Sequence, residues 1–144
     1  MNLENKKQRW IEDLSVIEDL QERFAFIIDL GREAPSLDTE HKVATFLIEG
    51  CISDLWLVPE YRDGKCYFKT DADSLITRGI AALVSNFYSD EPPEAIVKED
   101  ASFLGDVGIT QHLSSNRRNG LSNLCQRIRN YAQHCLDQAE EGKA

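Results

Sequence analysis

The stretch that most narrows the fold is "WLVPEYRDGKCYFKT", Trp56 to Thr70. Two runs rich in aromatic and branched residues flank Asp63-Gly64. Asp-Gly is a strong hairpin signal, because a two-residue turn between twisted strands needs positive φ and glycine takes it without steric cost. The chain is therefore expected to fold back here as an antiparallel pair. The strands should cover about Ser53 to Val58 and Lys65 to Thr70, with a third short strand beside them.

Helical periods surround this hairpin. Trp10, Leu14 and Ile17 recur at helical spacing, and a second helix is expected to start at Asp19, with Glu22 completing a capping box. Leu20, Phe24 and Ile27 form its apolar face, and Gly31 reads as its C-terminal stop. "KVATFLIEG" fits either a helical turn or an extended lead-in. After the hairpin, Ile76, Ile80, Leu83 and Phe87 line one face of a helix that Asp73 or Ser74 can cap. Pro92 or Pro93 suits the first turn of a short helix. The last helix is expected from about Ser115 to Gln138, with Leu121, Leu124, Ile128, Tyr131 and Cys135 facing inward and a frayed tail from about residue 139. The 144 residues make one domain, 1–144, able to bury a core without metals or disulfides. The expected class is α+β, with helices packed on one face of a small antiparallel three-stranded sheet.

Charge and cysteine usage exclude several classes of function. A formal net charge of −9 repels phosphate backbones, so nucleic acid is a poor partner. No apolar run approaches the roughly 20 residues needed to span a bilayer. "MNLENKKQRW" has no apolar signal core, which points to the cytoplasm. Cys51, Cys66, Cys125 and Cys135 form no C-x-x-C pair, so they read as free thiols in a reducing compartment, with no metal site.

The four thiols differ in context. Cys51 lies in "EGCISDLWLV", between Gly50 and the start of a strand. Glycine lets the backbone turn sharply and keeps space open beside the sulfur, as a working thiol requires. The alternative is a buried, inert cysteine. Cys66 alternates with Phe68 in the second strand, while Cys125 and Cys135 lie on or beside the stripe of the last helix, so these three read as core. His112 is the best placed of three histidines to pair with Cys51, although a lone histidine before a helix is more often solvated or capping. Asp71 and Asp73 read as turn and cap residues. Arg117 and Arg118 put two cations at the start of the last helix, the end its dipole disfavours, and so are candidates for meeting a partner.

Three segments together carry a resemblance. "IEGCISDLWL" resembles the glycine-cysteine-x-serine signature of the SufE family of sulfur acceptors. "DADSLITRGIAAL" resembles that family's segment after its hairpin, and "LGDVGITQHLSSNRRNGL" resembles its late motif. The match runs in register over roughly residues 6 to 135. The resemblance implies a fold related to the iron–sulfur scaffold proteins. It also implies a partner, a pyridoxal-phosphate-dependent cysteine desulfurase, which hands persulfide sulfur to Cys51. From there the sulfur passes to a downstream iron–sulfur scaffold. Asp73 and Arg117 match family positions near the cysteine loop or the partner surface, with Gly50 as the hinge. The protein would need no cofactor of its own, and the resemblance leaves room for a homodimer. Two other classes compete: a non-covalent module that activates a partner enzyme, and a thiol hydrolase built on Cys51 and His112.

Overall fold

A computed structural model describes residues 2–48 and 54–143, with side chains as far as Ala139. The hairpin forms as its turn requires. Asp63 and Gly64 have φ of 53° and 80°, a turn whose twist suits the strands it joins. Strand β1 (Leu55–Arg62) and strand β2 (Lys65–Ala72) pair antiparallel from Arg62↔Lys65 to Leu55↔Ala72. Both are longer than expected, β1 running past Val58 and β2 past Thr70. The expected first strand residue, Ser53, lies outside the described residues. Pro59 is tolerated within β1 because the strand is an edge, where a missing N–H need break no ladder bond.

The sheet has two strands among the described residues, not the expected three. Short contacts occupy the outer edges instead. On the β1 side, Leu47 bridges Trp56, and the Ile48 N–H donates to the Leu55 carbonyl at 2.7 Å. On the β2 side, the Cys66 N–H donates to the Glu91 carbonyl at 2.9 Å, and the Asp90 N–H donates back to the Cys66 carbonyl at 2.8 Å. The Ser89 hydroxyl accepts the Phe68 N–H at 2.9 Å. These single-residue contacts satisfy edge backbone groups and blunt further pairing, so an extended third strand is not needed for that purpose.

Helix α1 spans Leu3–Val16, α2 Leu20–Glu33 and α3 Leu75–Tyr88. The short helices α4 (Pro93–Ile96) and α5 (Phe103–Asp106) precede the long α6, Ser115–Lys143. Pro93 takes the first turn of α4 as expected, and α6 continues past Gln138. The α6 stripe is inward: Leu124, Ile128 and Cys135 are buried, with Leu121 and Tyr131 partly so. Helices α3 and α6 cover the sheet face that carries Leu55, Leu57, Phe68, Thr70 and Ala72, and α2 packs behind α3. The other face holds the cross-strand pair Trp56 and Asp71, both buried.

Two local expectations are corrected. Gly31 does not stop α2, which continues to Glu33. It is needed because a Cβ at Gly31 would sit 2.7 Å from the Gly79 backbone nitrogen, while a Cβ at Gly79 would sit 2.7 Å from the Ile27 carbonyl carbon. The two glycines let α2 and α3 touch backbone to backbone. At α3, Ser74 takes the N-cap position, but its side chain makes no capping bond. Asp19 does cap α2, accepting the Gln21 N–H at 2.8 Å. Among the described residues, no helix is long and apolar enough to cross a membrane.

Candidate functional site

Gly50 and Cys51 lie outside the described residues, so the site is defined by its flanks. The chain leaves the described structure at Ile48 and resumes at Asp54. Ile48 is bonded to Leu55, and the Asp73 N–H donates to the Asp54 carbonyl at 3.1 Å. The two flanks are therefore anchored on the same end of the hairpin. Asp73 stands at that end through its backbone, with an exposed side chain.

The approach to Ile48 is the segment 34–48, which crosses the Trp56–Asp71 face. Asp71 is its anchor. Its Oδ2 accepts the Leu37 N–H at 3.0 Å and lies 3.3 Å from the Lys42 ammonium, and its Oδ1 lies 3.3 Å from Arg78 Nε. Burial would raise the Asp71 pKa, but the Leu37 and Ala72 N–H groups, Lys42 and Arg78 outweigh it and hold the carboxyl below the usual range. Lys42 also sits 5.4 Å over the Trp56 ring. Arg78 holds the start of the segment, donating to the Ala34 carbonyl at 2.7 Å and the Ser36 hydroxyl at 2.9 Å. Arg127 of α6 holds its end, donating to the Leu47 carbonyl at 2.5 Å and the Thr45 carbonyl at 2.8 Å. Beside this end lies an open groove of about 730 Å³, lined by Phe46, Ile48, Leu57, Pro59, Arg127 and Tyr131 among others.

The remaining candidates fall in different places. Arg117 is exposed near the start of α6, where the Ser114 hydroxyl accepts its N–H at 3.3 Å. It lines a small gap with Leu55, Thr77 and Ile80, which places it near the strand end that receives the chain from Cys51. Arg118 donates to the Ser115 hydroxyl at 3.4 Å and is also exposed. His112 ends a largely exposed turn, Thr110–His112, whose Gln111 side chain donates to the Gly105 carbonyl within α5. No described contact joins His112 to Ile48, Asp54 or Asp73.

The three described thiols are packed away to different degrees. Cys66 is fully buried, and burial, together with neighbouring Cys135, pushes its thiol up to about 12. Cys135 is buried as well. Cys125 keeps partial exposure, yet burial pushes its thiol up to about 12. A thiol held so far above neutral carries almost no thiolate and is a poor nucleophile. Asp38, Glu40 and His41 bring ligand atoms within 4.8 Å of one another. They are largely solvent-exposed groups on one short turn and include none of the cysteines.

The sequence reading missed Asp71 as an anchor and did not single out Arg78 or Arg127. An acidic residue inside a strand opposite a tryptophan is unusual enough to mark a buried partner network. Arg127 gave no such signal, since its partners are carbonyls 80 and 82 residues away.

Comparison with known proteins adds the family. The SufE family, described as an Fe-S metabolism associated domain, matches residues 8–132. An uncharacterized SufE-like protein of Rhizobium meliloti (strain 1021) is 30% identical over 128 residues, covering 85% of this chain and 91% of that protein. Another uncharacterized SufE-like protein, from Rhizobium etli, is 33% identical over 127 residues, covering 85% of this chain and 86% of its own. The solution structure of a hypothetical protein from Thermus thermophilus superposes with a TM-score of 0.74 over 92% of this chain and 96% of that one. At 15% identity that likeness supports the fold alone. With nearly the whole described fold inside the matched region, the chain belongs to the SufE family, whose domain is associated with iron–sulfur metabolism.

Proposed function

We propose that the protein is a sulfur acceptor that takes persulfide sulfur onto Cys51 from a pyridoxal-phosphate-dependent cysteine desulfurase, stimulates that enzyme, and delivers the sulfur to an iron–sulfur scaffold. The observation that carries this reading is the separation of the thiols. Cys66 and Cys135 are buried, and Cys66 and Cys125 are held as neutral thiols. Cys51 is left as the sulfur to react, in a segment whose flanks are fixed to the hairpin end.

The transfer needs one nucleophilic sulfur and no metal. The Cys51 thiolate attacks the terminal sulfur of the donor persulfide. A new S–S bond forms on Cys51, the donor's S–S bond breaks, and the donor cysteine leaves as a thiolate that takes up the proton Cys51 gave away. No net oxidation occurs. The pyridoxal phosphate belongs to the partner. Asp73, Arg117 and Arg118 form the surface that meets it, with Gly50 as the hinge of the acceptor segment. A reducing cytoplasm suits the chemistry, because a protein persulfide needs shelter from oxidation.

The test is intact mass after incubation with a desulfurase, cysteine and pyridoxal phosphate. The wild type should gain one sulfur atom, and Cys51→Ser should gain none while keeping its fold, since a hydroxyl is a far weaker nucleophile. A mild alkylating agent should label Cys51 before the other three cysteines. If Cys51→Ser stimulates the desulfurase as fully as the wild type without a reductant, the protein is a non-covalent activator and the acceptor reading fails.

A further inference from the structure

We infer that Arg127 is a positioning residue for sulfur transfer, acting through its grip on the segment that leads into Cys51; this rests on the acceptor reading above. The guanidinium makes two bonds to carbonyls two residues apart, Thr45 and Leu47. Leu47 lies four residues before Cys51, and Ile48 is the last described residue before it. Arg127 thus ties the approach to α6, while the Ile48–Leu55 bond ties it to β1. Together the two contacts fix the point from which the acceptor segment departs.

The geometry suits arginine. Its planar fork presents parallel N–H donors on two nitrogens, so one side chain holds two carbonyls in a fixed geometry, whereas an ammonium offers a single nitrogen with freely rotating donors. The bonds are exposed, and residues 44–47 include no fully buried side chain. Both carbonyls could be hydrated if Arg127 were removed, so the fold does not depend on this pair to satisfy buried groups. Its consequence is placement. A protein-borne persulfide is attacked only when Cys51 arrives within reach at the right angle, and small misplacements of a reacting group are costly in rate. A small diffusible reagent makes no such demand.

The experiment compares wild type, Arg127→Ala and Arg127→Lys as acceptors, reading desulfurase turnover against acceptor concentration and the rate of Cys51 alkylation by iodoacetamide. Arg127→Ala is expected to lower kcat about tenfold at unchanged KM, with Cys51 alkylation as fast as in wild type or faster. Arg127→Lys, which keeps the charge but loses the fixed fork, should fall between them at the same KM. An unchanged kcat in Arg127→Ala overturns the inference. So does a raised KM with unchanged kcat, which would make Arg127 a docking residue. If the alanine variant loses its native circular dichroism, the lysine variant decides on the same criteria. A wild type that gains no sulfur on Cys51 would instead overturn the acceptor reading, so the two failures are distinct.

Discussion

At the α2–α3 crossing, Gly31 and Gly79 bring two backbones into contact, and Ile27 beside them is fully buried. In the segment 34–48, Leu37 and Ile48 are the buried side chains among those described. That segment is held by polar tethers instead: Arg78 at Ala34 and Ser36, Asp71 at Leu37 and Lys42, Arg127 at Thr45 and Leu47. Packing contacts are lost together when a helix pair separates, whereas each tether contributes only about 1 kcal/mol and can be released singly. The helical frame should therefore open only with global unfolding, and the approach to Cys51 should open locally. If the proposed acceptor role holds, confining local opening to that approach would let one sulfur be presented without loosening the frame.

The comparison breaks most sharply at Gly79. In Gly79→Ala the new methyl would meet the Ile27 backbone, and backbone can yield only by moving α2 away from α3. The expected loss is about 3 kcal/mol, read as a lower denaturation midpoint at unchanged slope. A loss under about 1 kcal/mol would mean that the crossing adapts cheaply and is no more rigid than the segment.

Asp71 comes next, because it joins the two regions. Asp71→Asn keeps the shape but removes the charge that Lys42 and Arg78 face, at an expected cost of about 2 kcal/mol. The same carboxylate gives the wild type a pH dependence. Its folded pKa is depressed, so its contribution is full above the unfolded value near 4 and is lost as pH falls through the lower folded value. The wild type should lose stability below about pH 4 more steeply than Asp71→Asn. Hydrogen exchange should show the difference first at the Leu37 amide, which Asp71 holds directly. Equal pH slopes in the two proteins would remove Asp71 as the anchor.

A smaller effect is expected at the start of α2. Asp19→Ala deletes the bond to the Gln21 N–H and should cost about 1 kcal/mol. Because α2 belongs to the frame, the loss should appear in global stability and leave exchange in 34–48 unchanged. A selective loosening of that segment would show that frame and tethers are not separable.

Much of the frame was legible because its signals are local. Asp63-Gly64 forces its turn, Pro93 starts its helix, and the α6 stripe repeats at helical spacing. Gly31 was misread because a glycine near a helix end means a stop unless another backbone occupies its missing side chain's place, and that backbone lies 48 positions away at Gly79. The expected third strand is replaced, among the described residues, by single-residue bridges at Leu47 and Glu91, which leave no sequence period. The arginine tethers were illegible for the same reason, since an arginine bonded to carbonyls looks like any surface arginine, whereas Asp71 left a signal in its place opposite Trp56. At the site, Asp73 follows the hairpin directly in sequence, whereas Arg117 comes to its end by contacts that sequence spacing does not encode, and His112 sits on a turn beside α5.

The smallest effect on stability is expected at Arg117, and it separates docking from positioning. Arg117 is exposed in the first turn of α6, where a cation opposes the helix dipole. Arg117→Ala should leave stability within about 0.5 kcal/mol of wild type, since the mutation removes a slightly unfavourable charge along with a little aliphatic cover over the gap beside Leu55. If the arginine meets the desulfurase, its loss should raise the KM for the acceptor several-fold, mainly through a slower encounter that high salt masks. Once bound, Cys51 should be delivered as before, so kcat should hold. Arg127→Ala is expected to do the reverse. The two arginines are ten positions apart on one helix, so a common fault in α6 would move both parameters in both variants. Opposite movements would show that α6 carries two independent roles, one toward the proposed partner and one toward the segment that leads into Cys51. An unchanged KM in Arg117→Ala at low salt would take Arg117 off the docking surface.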